Sequence, residues 1–318
     1  MESKSANLGS SLPVPIVQEL AKEKLTTVPP RYVRPDQYQQ RILPTLKSSY
    51  SQIPVIDMQK FSDIYTVESE LHALHNACQE WGFFQLINHG VDSTVVEKMK
   101  IEIQEFFNLP IDEKKKFRQE EGDLQGYGQA FIVSEEQKLD WGDMFAIVIS
   151  PTYLRKPHLI PKLPTTFRRD AFHEDELLSS VSQPELVTGL SPHSDADGLT
   201  ILLQVNEMKG LQIKKDGVWI PVSPLPNAFT INIGDILEIV TNGAYKSIEH
   251  RAIVNREKER LSIATFLKPN LDGDIGPSPS LVTAETPAKF KRIEVTEYLK
   301  GLFSRELAGK SYLDLMRI

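Results

Sequence analysis

From Leu199 onward the chain consists of short apolar runs separated by turn residues, a pattern typical of β-strands. The turns are marked by pairs such as Asp216-Gly217 and Asn242-Gly243. The predicted strands are Leu199–Gln204, Leu211–Lys214, Val218–Val222, Phe229–Ile233, Ile236–Val240, Ser247–Val254 and Leu261–Phe266. This succession predicts a double-stranded β-helix of the jelly-roll type.

The first half of the chain mixes helical and extended patterns. Apolar residues recur at helix spacing in Val14–Leu25, Thr66–Glu80 and Ser93–Phe107, and again in Val295–Leu307 near the end. Strands are predicted at Ile53–Ile56, Gly82–Asn88 and Met144–Ile149. The polar run Phe167–Ser180 is expected to be loop or helix. The fold class is therefore predicted as α+β, a jelly-roll core with flanking helices.

Composition narrows the possible functions. The chain has 318 residues, 40% hydrophobic and 25% charged residues, and a formal net charge of −7. The negative charge argues against a nucleic-acid partner. No apolar stretch approaches the roughly 18 residues of a membrane span, and Met1–Ser11 lacks the features of a secretory signal. Because Cys78 is the single cysteine, we expect no intrachain disulfide and a cytoplasmic location.

A candidate metal site lies at the start of the strand-rich region. His193 and Asp195 are two residues apart, so their side chains share one face of an extended strand. His250 lies on a strand face that is otherwise apolar, shared by Ile248 and Ala252. Two imidazoles and one carboxylate form the facial set that suits non-haem Fe(II), because three coordination positions stay open.

Ten residues after His250, Arg260 and Ser262 again share a strand face. A guanidinium beside a hydroxyl can hold a carboxylate by two hydrogen bonds. A second His-x-Asp, His173 and Asp175, has the same spacing as the first. It lies in the polar run, whereas His193 leads into a strand, so His193 and Asp195 are the predicted ligands.

Several motifs resemble those of the plant 2-oxoglutarate- and Fe(II)-dependent dioxygenases. In the second half they are His193-Ser-Asp195, Asn232-Ile-Gly-Asp235, Thr241-Asn-Gly243, Ser247-Ile-Glu-His-Arg251 and Arg260-Leu-Ser-Ile-Ala-Thr-Phe266. In the first half they are Ile53-Pro-Val-Ile-Asp57, Trp81-Gly-Phe-Phe-Gln-Leu-Ile-Asn-His-Gly90 and Phe106-Phe-Asn-Leu-Pro110. Val17-Gln-Glu-Leu20, Gly126-Tyr-Gly128 and Leu139-Asp-Trp141 are most similar to the alkaloid O-demethylases and norcoclaurine-synthase-like proteins.

The resemblance implies the cofactors and the reaction. Fe(II) would be held by His193, Asp195 and His250, and 2-oxoglutarate by Arg260 and Ser262. Dioxygen would be the oxidant and ascorbate the reductant. The substrate would be a small plant metabolite such as an alkaloid or phenolic, which is hydroxylated or O-demethylated. Phe266 and Tyr127 are the candidate substrate contacts.

The resemblance also implies a division of the chain. The divisions are an N-terminal extension (1–50), an N-terminal dioxygenase domain (51–164), a shortened connector (165–189), the barrel (190–270), and a C-terminal loop and helix (271–318).

One segment departs from the family pattern. Between Pro164 and Leu190 the family has helices followed by a strand with an Asn-x-Tyr-Pro-Pro motif, whose tyrosine helps hold 2-oxoglutarate. This chain has only 25 residues there, with no tyrosine and no Pro-Pro. The pattern indicates an internal deletion that removes a core strand, unless the remnant from Glu174 to Val187 replaces it.

Three other functions remain open from the sequence. An ascorbate-dependent oxidase of the ethylene-forming type would keep the same ligands. A catalytically impaired, shortened member could act as a binding protein or be a splice product. A zinc hydrolase could use the same three ligands, although the sequence places no general base for it.

Overall fold

The structure is a computed structural model, and it describes residues 11–23, 25–34, 53–120, 123–159 and 172–318, with the side chains of 172–174 excepted. Most of the expected N-terminal extension and the first residues of the expected connector lie outside these ranges. The structure shows a jelly-roll core with flanking helices, as the strand pattern predicts.

Fourteen strands occur in the described residues. They are β1 Val55–Asp57, β2 Phe83–Ile87, β3 Gly126–Gly128, β4 Asp143–Val148, β5 Phe172–Leu178, β6 Leu190–His193, β7 Leu199–Gln204, β8 Leu211–Lys215, β9 Val218–Pro221, β10 Phe229–Ile233, β11 His250–Ala252, β12 Arg260–Leu267, β13 Asp274–Ile275 and β14 Ile293–Glu294.

Seven α-helices surround these strands within the same residues. They are α1 Val17–Lys22, α2 Val67–Asn76, α3 Ser93–Asn108, α4 Ile111–Lys114, α5 Asp235–Val240, α6 Val295–Phe303 and α7 Ser311–Met316. No helix in the described ranges is long and apolar enough to cross a bilayer.

Two sheets form the barrel. The larger has the order β1-β2-β10-β7-β12-β5-β4-β3, and the smaller has the order β6-β11-β8-β9. Helix α3 contributes Met99, Ile103, Phe106 and Phe107 to a core cluster with Leu177 and Leu261 of the larger sheet. The predicted metal ligands come from the smaller sheet and the turn after β6, whereas Arg260 and Ser262 come from the larger sheet.

The polar run that we expected to be loop or helix contains strand β5. It pairs antiparallel with β12 on one side and with β4 on the other. Leu177 and Leu178 are buried, and Glu176 faces the internal cavity, so both sides of the strand are covered. Because Glu176 faces the internal cavity and Asp175 is buried, their polarity did not indicate a loop. The larger sheet is continuous through β5, so the segment that overlaps the start of the remnant supplies a strand, which is the alternative that the sequence left open.

A second correction concerns Ile236–Val240, which we expected to be a strand. The structure has helix α5 there. Short apolar runs do not distinguish a strand from a buried helix by periodicity alone. Ile236 and Ile239, three residues apart, pack together against the apolar faces of α6 and α7. The backbone N–H groups of Asp235 and Ile236 donate to the backbone carbonyl oxygens of Asp195 and Asp197, which fixes the start of the helix beside the predicted metal ligands.

Candidate functional site

Strand pairing brings the two predicted histidine ligands together. His193 ends β6 and His250 begins β11, and the two residues are direct partners in the antiparallel register. Their ring centroids lie 4.2 Å apart. Asp195 follows two residues after His193, in the turn before β7, so its carboxylate reaches the same point.

The three side chains form a compact set of donor atoms. The Nε2 atoms of His193 and His250 lie 3.3 Å and 3.5 Å from Asp195 Oδ1. The candidate ligand atoms all lie within 4.8 Å of one another, and all three residues are buried. A metal with bonds of about 2.1 Å at right angles places its ligand atoms about 3 Å apart, so this set fits one cation with little movement.

Backbone carbonyls orient both imidazoles. His193 Nδ1 lies 2.7 Å from the Ser191 carbonyl oxygen, and His250 Nδ1 lies 3.1 Å from that of Ile248. If each Nδ1 carries the proton, each Nε2 has a free lone pair facing Asp195, which is the usual state of a metal-bound histidine.

Asp195 is held by two polar neighbours that the sequence analysis did not assign to the site. Asn232 Nδ2 donates to Asp195 Oδ2 at 2.7 Å, and the Thr200 hydroxyl donates to the same oxygen. Oδ1 is therefore left for a cation. Asn232 could have been suspected, because it is an amide at a buried position of an apolar strand.

The pKa shifts of the three side chains favour one positive charge, on His193. Burial lowers the pKa of His193, but the hydrogen bond and charge of Asp195 outweigh it and raise that pKa to about 9. Burial and the charge of His193 lower the pKa of His250 to about 4. Burial raises the pKa of Asp195, but both histidines outweigh it and hold the pKa below its usual range. A cation that replaces the proton on His193 would have one carboxylate and two imidazoles as ligands.

Arg260 and Ser262 lie in the wall of the same cavity as the three ligands. Arg260 Nη1 donates to Ser262 Oγ at 3.0 Å, as their shared strand face predicts. Arg260 is only 2% exposed, and burial lowers the pKa of its guanidinium. A buried guanidinium that keeps free donor groups is suited to bind a carboxylate.

The two candidate substrate contacts have different locations. Phe266 lines the cavity, on the face of β12 that also carries Ser262. Tyr127 is fully buried against Phe106 and Phe107, and it is not part of the cavity wall. Tyr127 packs in the core beneath α3 because strand β3 turns its ring inward.

The second His-x-Asp does not form a comparable set in the described residues. Asp175 is buried on β5, and the side chain of His173 lies outside the description. Among the side chains that the structure describes, the set of His193, Asp195 and His250 is the one group suited to hold a metal.

Comparisons with protein families agree with these features. Residues 53–163 match the model described as "non-haem dioxygenase in morphine synthesis N-terminal". Residues 171–269 match the model of the "2OG-Fe(II) oxygenase superfamily". The second match begins beside β5 and ends just beyond β12, so it contains the three candidate metal ligands, Arg260 and Ser262.

Individual relatives cover nearly the whole chain. Oxoglutarate-dependent flavonoid 7-O-demethylase 1 of Ocimum basilicum is 56% identical, over 99% of this chain and 94% of its own length. Codeine O-demethylase of Papaver somniferum is 46% identical, over 98% of both chains. The first alignment runs over 354 positions, so at least 36 of them have no residue of this 318-residue chain opposite them.

A solved structure has the same architecture. The crystal structure of JOX2 in complex with 2OG, Fe and JA superposes with a TM-score of 0.84 and 30% identity. The superposition covers 96% of this chain and 98% of the JOX2 chain.

Proposed function

Because the chain belongs to the 2OG-Fe(II) oxygenase superfamily, we propose that it oxidises a small plant specialised metabolite, by hydroxylation or O-demethylation. The protein is a 2-oxoglutarate-dependent dioxygenase, with Fe(II) as its metal and 2-oxoglutarate as its cosubstrate. The observation that carries the proposal is the convergence of three candidate metal ligands and one buried guanidinium on a single cavity.

We propose His193 Nε2, His250 Nε2 and Asp195 Oδ1 as the Fe(II) ligands. Their spacing supports this role, and so do the carbonyls that orient both rings. Fe(II), with 2-oxoglutarate and dioxygen, supplies the oxidation of an unreactive C–H bond. Ascorbate is proposed as the reductant that keeps the metal in the ferrous state.

Arg260 and Ser262 are proposed to bind the distal carboxylate of 2-oxoglutarate. The guanidinium donates charged hydrogen bonds, and the hydroxyl fixes its orientation through the contact with Nη1. Burial strengthens the attraction, because little water screens it. These two side chains orient the cosubstrate relative to the metal ligands.

Aromatic side chains at the cavity support a flat substrate. Phe131 and Phe303 are stacked with centroids 5.3 Å apart, and both line the cavity with Phe266. Flat rings pack well against such surfaces. Two of the relatives above carry O-demethylase names, one for a flavonoid and one for codeine. A methoxylated phenolic or alkaloid is therefore the proposed substrate class.

O-demethylation follows from hydroxylation at a methoxy carbon. The product is a hemiacetal, which loses formaldehyde and leaves the free hydroxyl group. One 2-oxoglutarate and one dioxygen are consumed for each succinate, carbon dioxide and formaldehyde formed. An ascorbate-dependent oxidase would not form succinate in this ratio.

The internal deletion stays a proposal. It is supported by the alignment that is longer than the chain, and by the short interval before Leu190. Strand β5 argues against the impaired-member alternative, because it joins β4 to β12 and keeps the larger sheet continuous beside Arg260. We also propose the five divisions of the chain predicted from the sequence. A cytoplasmic location is proposed as well, because Cys78 is a free buried thiol.

A substrate screen tests the proposal. Purified protein is incubated with Fe(II), 2-oxoglutarate, ascorbate and a panel of methoxylated flavonoids and alkaloids, and formaldehyde and succinate are measured together. We expect equal amounts of the two products with at least one compound, and neither product with Asp195→Ala. Succinate without formaldehyde, but with a hydroxylated product, would favour hydroxylation over demethylation.

A further inference from the structure

Strand β5 places an acidic side chain at the part of the cavity where Arg260 and Ser262 are proposed to bind the distal carboxylate of 2-oxoglutarate. Glu176 is the direct partner of Ser262 in the antiparallel pairing of β5 with β12. Directly opposed residues of an antiparallel pair project from the same face of the sheet. Glu176 therefore points into the cavity beside Ser262 and Arg260, and its side chain is 19% exposed there.

The Arg260 guanidinium has unused hydrogen-bonding capacity. Nη1 donates to Ser262, Nη2 contacts Gln204 Oε1 at a long 3.5 Å, and Nε has no hydrogen-bond partner among the described residues. Both contacts are to neutral groups. Since a buried charge is costly without a counter-charge, this guanidinium should attract a carboxylate.

Among the described residues, Glu176 is the acidic side chain within ion-pair distance of the Arg260 guanidinium. Its Oε2 lies 3.8 Å from Arg260 Nη1, within ion-pair range but too far for a hydrogen bond. The two side chains therefore attract each other, but no hydrogen bond between them fixes the position of the Glu176 carboxylate. A second carboxylate that approached the same guanidinium would meet the negative charge of Glu176 in a poorly screened cavity.

We propose, on the basis of the 2-oxoglutarate site assigned above, that Glu176 is an internal competitor that lowers the affinity of the protein for 2-oxoglutarate. The distal carboxylate of the cosubstrate and the Glu176 carboxylate interact with the same guanidinium. Cosubstrate binding then requires Glu176 to turn away or to take up a proton from solvent.

The environment of Glu176 makes that displacement feasible. Burial raises the pKa of Glu176 to about 7, although the charge of Arg260 opposes the rise. The other charged groups that act on it are His193 of β6 and Asp140, which precedes β4. A fraction of the protein near neutral pH therefore has an uncharged Glu176, so the competition is partial and does not block the site.

The test is a calorimetric titration of 2-oxoglutarate, without oxygen, into the full-length Fe(II)-loaded protein. Wild type is compared with Glu176→Gln and Glu176→Leu, and Fe(II) content and thermal melting are recorded for each. We expect the dissociation constant to fall about tenfold or more in both variants, because the competing charge is gone. Glu136→Gln makes the same charge change at an exposed position and should leave the constant unchanged.

Two variants separate competition from a new contact. Glutamine could donate a hydrogen bond to 2-oxoglutarate, whereas leucine could not, so tighter binding in both variants identifies removal of the carboxylate. Equal or weaker binding in Glu176→Leu would overturn the proposal while the function stands. If wild type and both variants hold Fe(II) but none binds 2-oxoglutarate, the proposed function itself fails, and the competition proposal fails with it.

Discussion

His193 and His250 are direct partners across the antiparallel pairing of β6 and β11, although they lie 57 positions apart in the chain. Their Nε2 atoms converge on one oxygen of Asp195, at 3.3 Å and 3.5 Å. The register of two short strands thus sets the geometry of the candidate metal site.

Replacement of any one of these three ligands should abolish Fe(II) binding. His193→Ala, Asp195→Ala and His250→Ala each remove one of three donors, and the remaining two do not hold the metal firmly. Bound iron per folded protein, measured after desalting, checks this. His173→Ala is the matched control and should retain Fe(II); a comparable loss there would mean that the other His-x-Asp holds the metal.

Asn232→Ala should weaken Fe(II) binding without removing a ligand. The Asn232 amide orients Asp195 through the 2.7 Å hydrogen bond to Oδ2. Loss of such a supporting contact typically costs about 10-fold to 100-fold in metal affinity. A competition titration against a chelator measures the effect, with Asn270→Ala at an exposed position as the control. Unchanged affinity in Asn232→Ala would contradict this role.

The burial of strand β5 has a direct consequence for stability. Leu177 is 0% exposed near the C-terminal end of the strand, in contact with the core beneath α3. Truncation of a buried leucine to alanine costs about 2–5 kcal/mol of unfolding free energy. Urea denaturation of Leu177→Ala should show a loss of this size, and Leu71→Ala, 53% exposed on α2, should change stability by less than about 0.5 kcal/mol. Equal stability of the two variants would indicate that β5 is not part of the sheet.

Asp143 should make stability depend on pH. Its carboxylate accepts hydrogen bonds from the backbone N–H groups of Val17 and Gln18, and so anchors α1 to β4. Burial outweighs these bonds and raises the pKa of Asp143 from 3.8 to about 6. The folded state therefore binds a proton at Asp143 more tightly than the unfolded state does. Proton binding at Asp143 stabilises the fold below about pH 4, and this stabilisation is lost as the pH rises through 6.

The size of this effect follows from the shift. The rise in the pKa of Asp143 from 3.8 to about 6 corresponds to about 3 kcal/mol of unfolding free energy in total, lost between about pH 3 and pH 7. Urea denaturation across this range should show the loss in wild type and not in Asp143→Asn, after subtraction of the pH dependence that both share. Asp112→Asn, at an exposed side chain, should behave like wild type. If the difference in unfolding free energy between wild type and Asp143→Asn were the same at all pH values, the raised pKa of Asp143 would be refuted.

The sequence was informative where one residue pattern implies one geometry. Alternation and turn pairs located β7 and β10 to the residue, and the shared strand face of Arg260 and Ser262 predicted their contact. The spacing of His193 and Asp195 anticipated their convergence with His250, although the register that completes the set could not be read from the chain.

The features that the sequence analysis predicted wrongly or did not predict depend on contacts between segments that are distant in the chain. Glu176 of β5 faces the internal cavity and Asp175 is buried, so a local pattern of polarity indicated loop or helix where pairing with β4 and β12 imposes a strand. The apolar run of α5 is equally compatible with a strand until its packing against α6 and α7 is known. The approach of Glu176 to Arg260 depends on pairing between strands that lie more than 80 residues apart in the chain.

Succinate formation from 2-oxoglutarate tests most directly whether the proposed metal ligands and Arg260, brought to one cavity by the two sheets, form a working dioxygenase site. Folded wild-type protein, supplied with Fe(II), ascorbate, oxygen and the methoxylated panel, should form succinate, and Asp195→Ala under the same conditions should form none. If the wild-type protein melts cooperatively and holds Fe(II) but forms no more succinate than Asp195→Ala, the account of this site is contradicted.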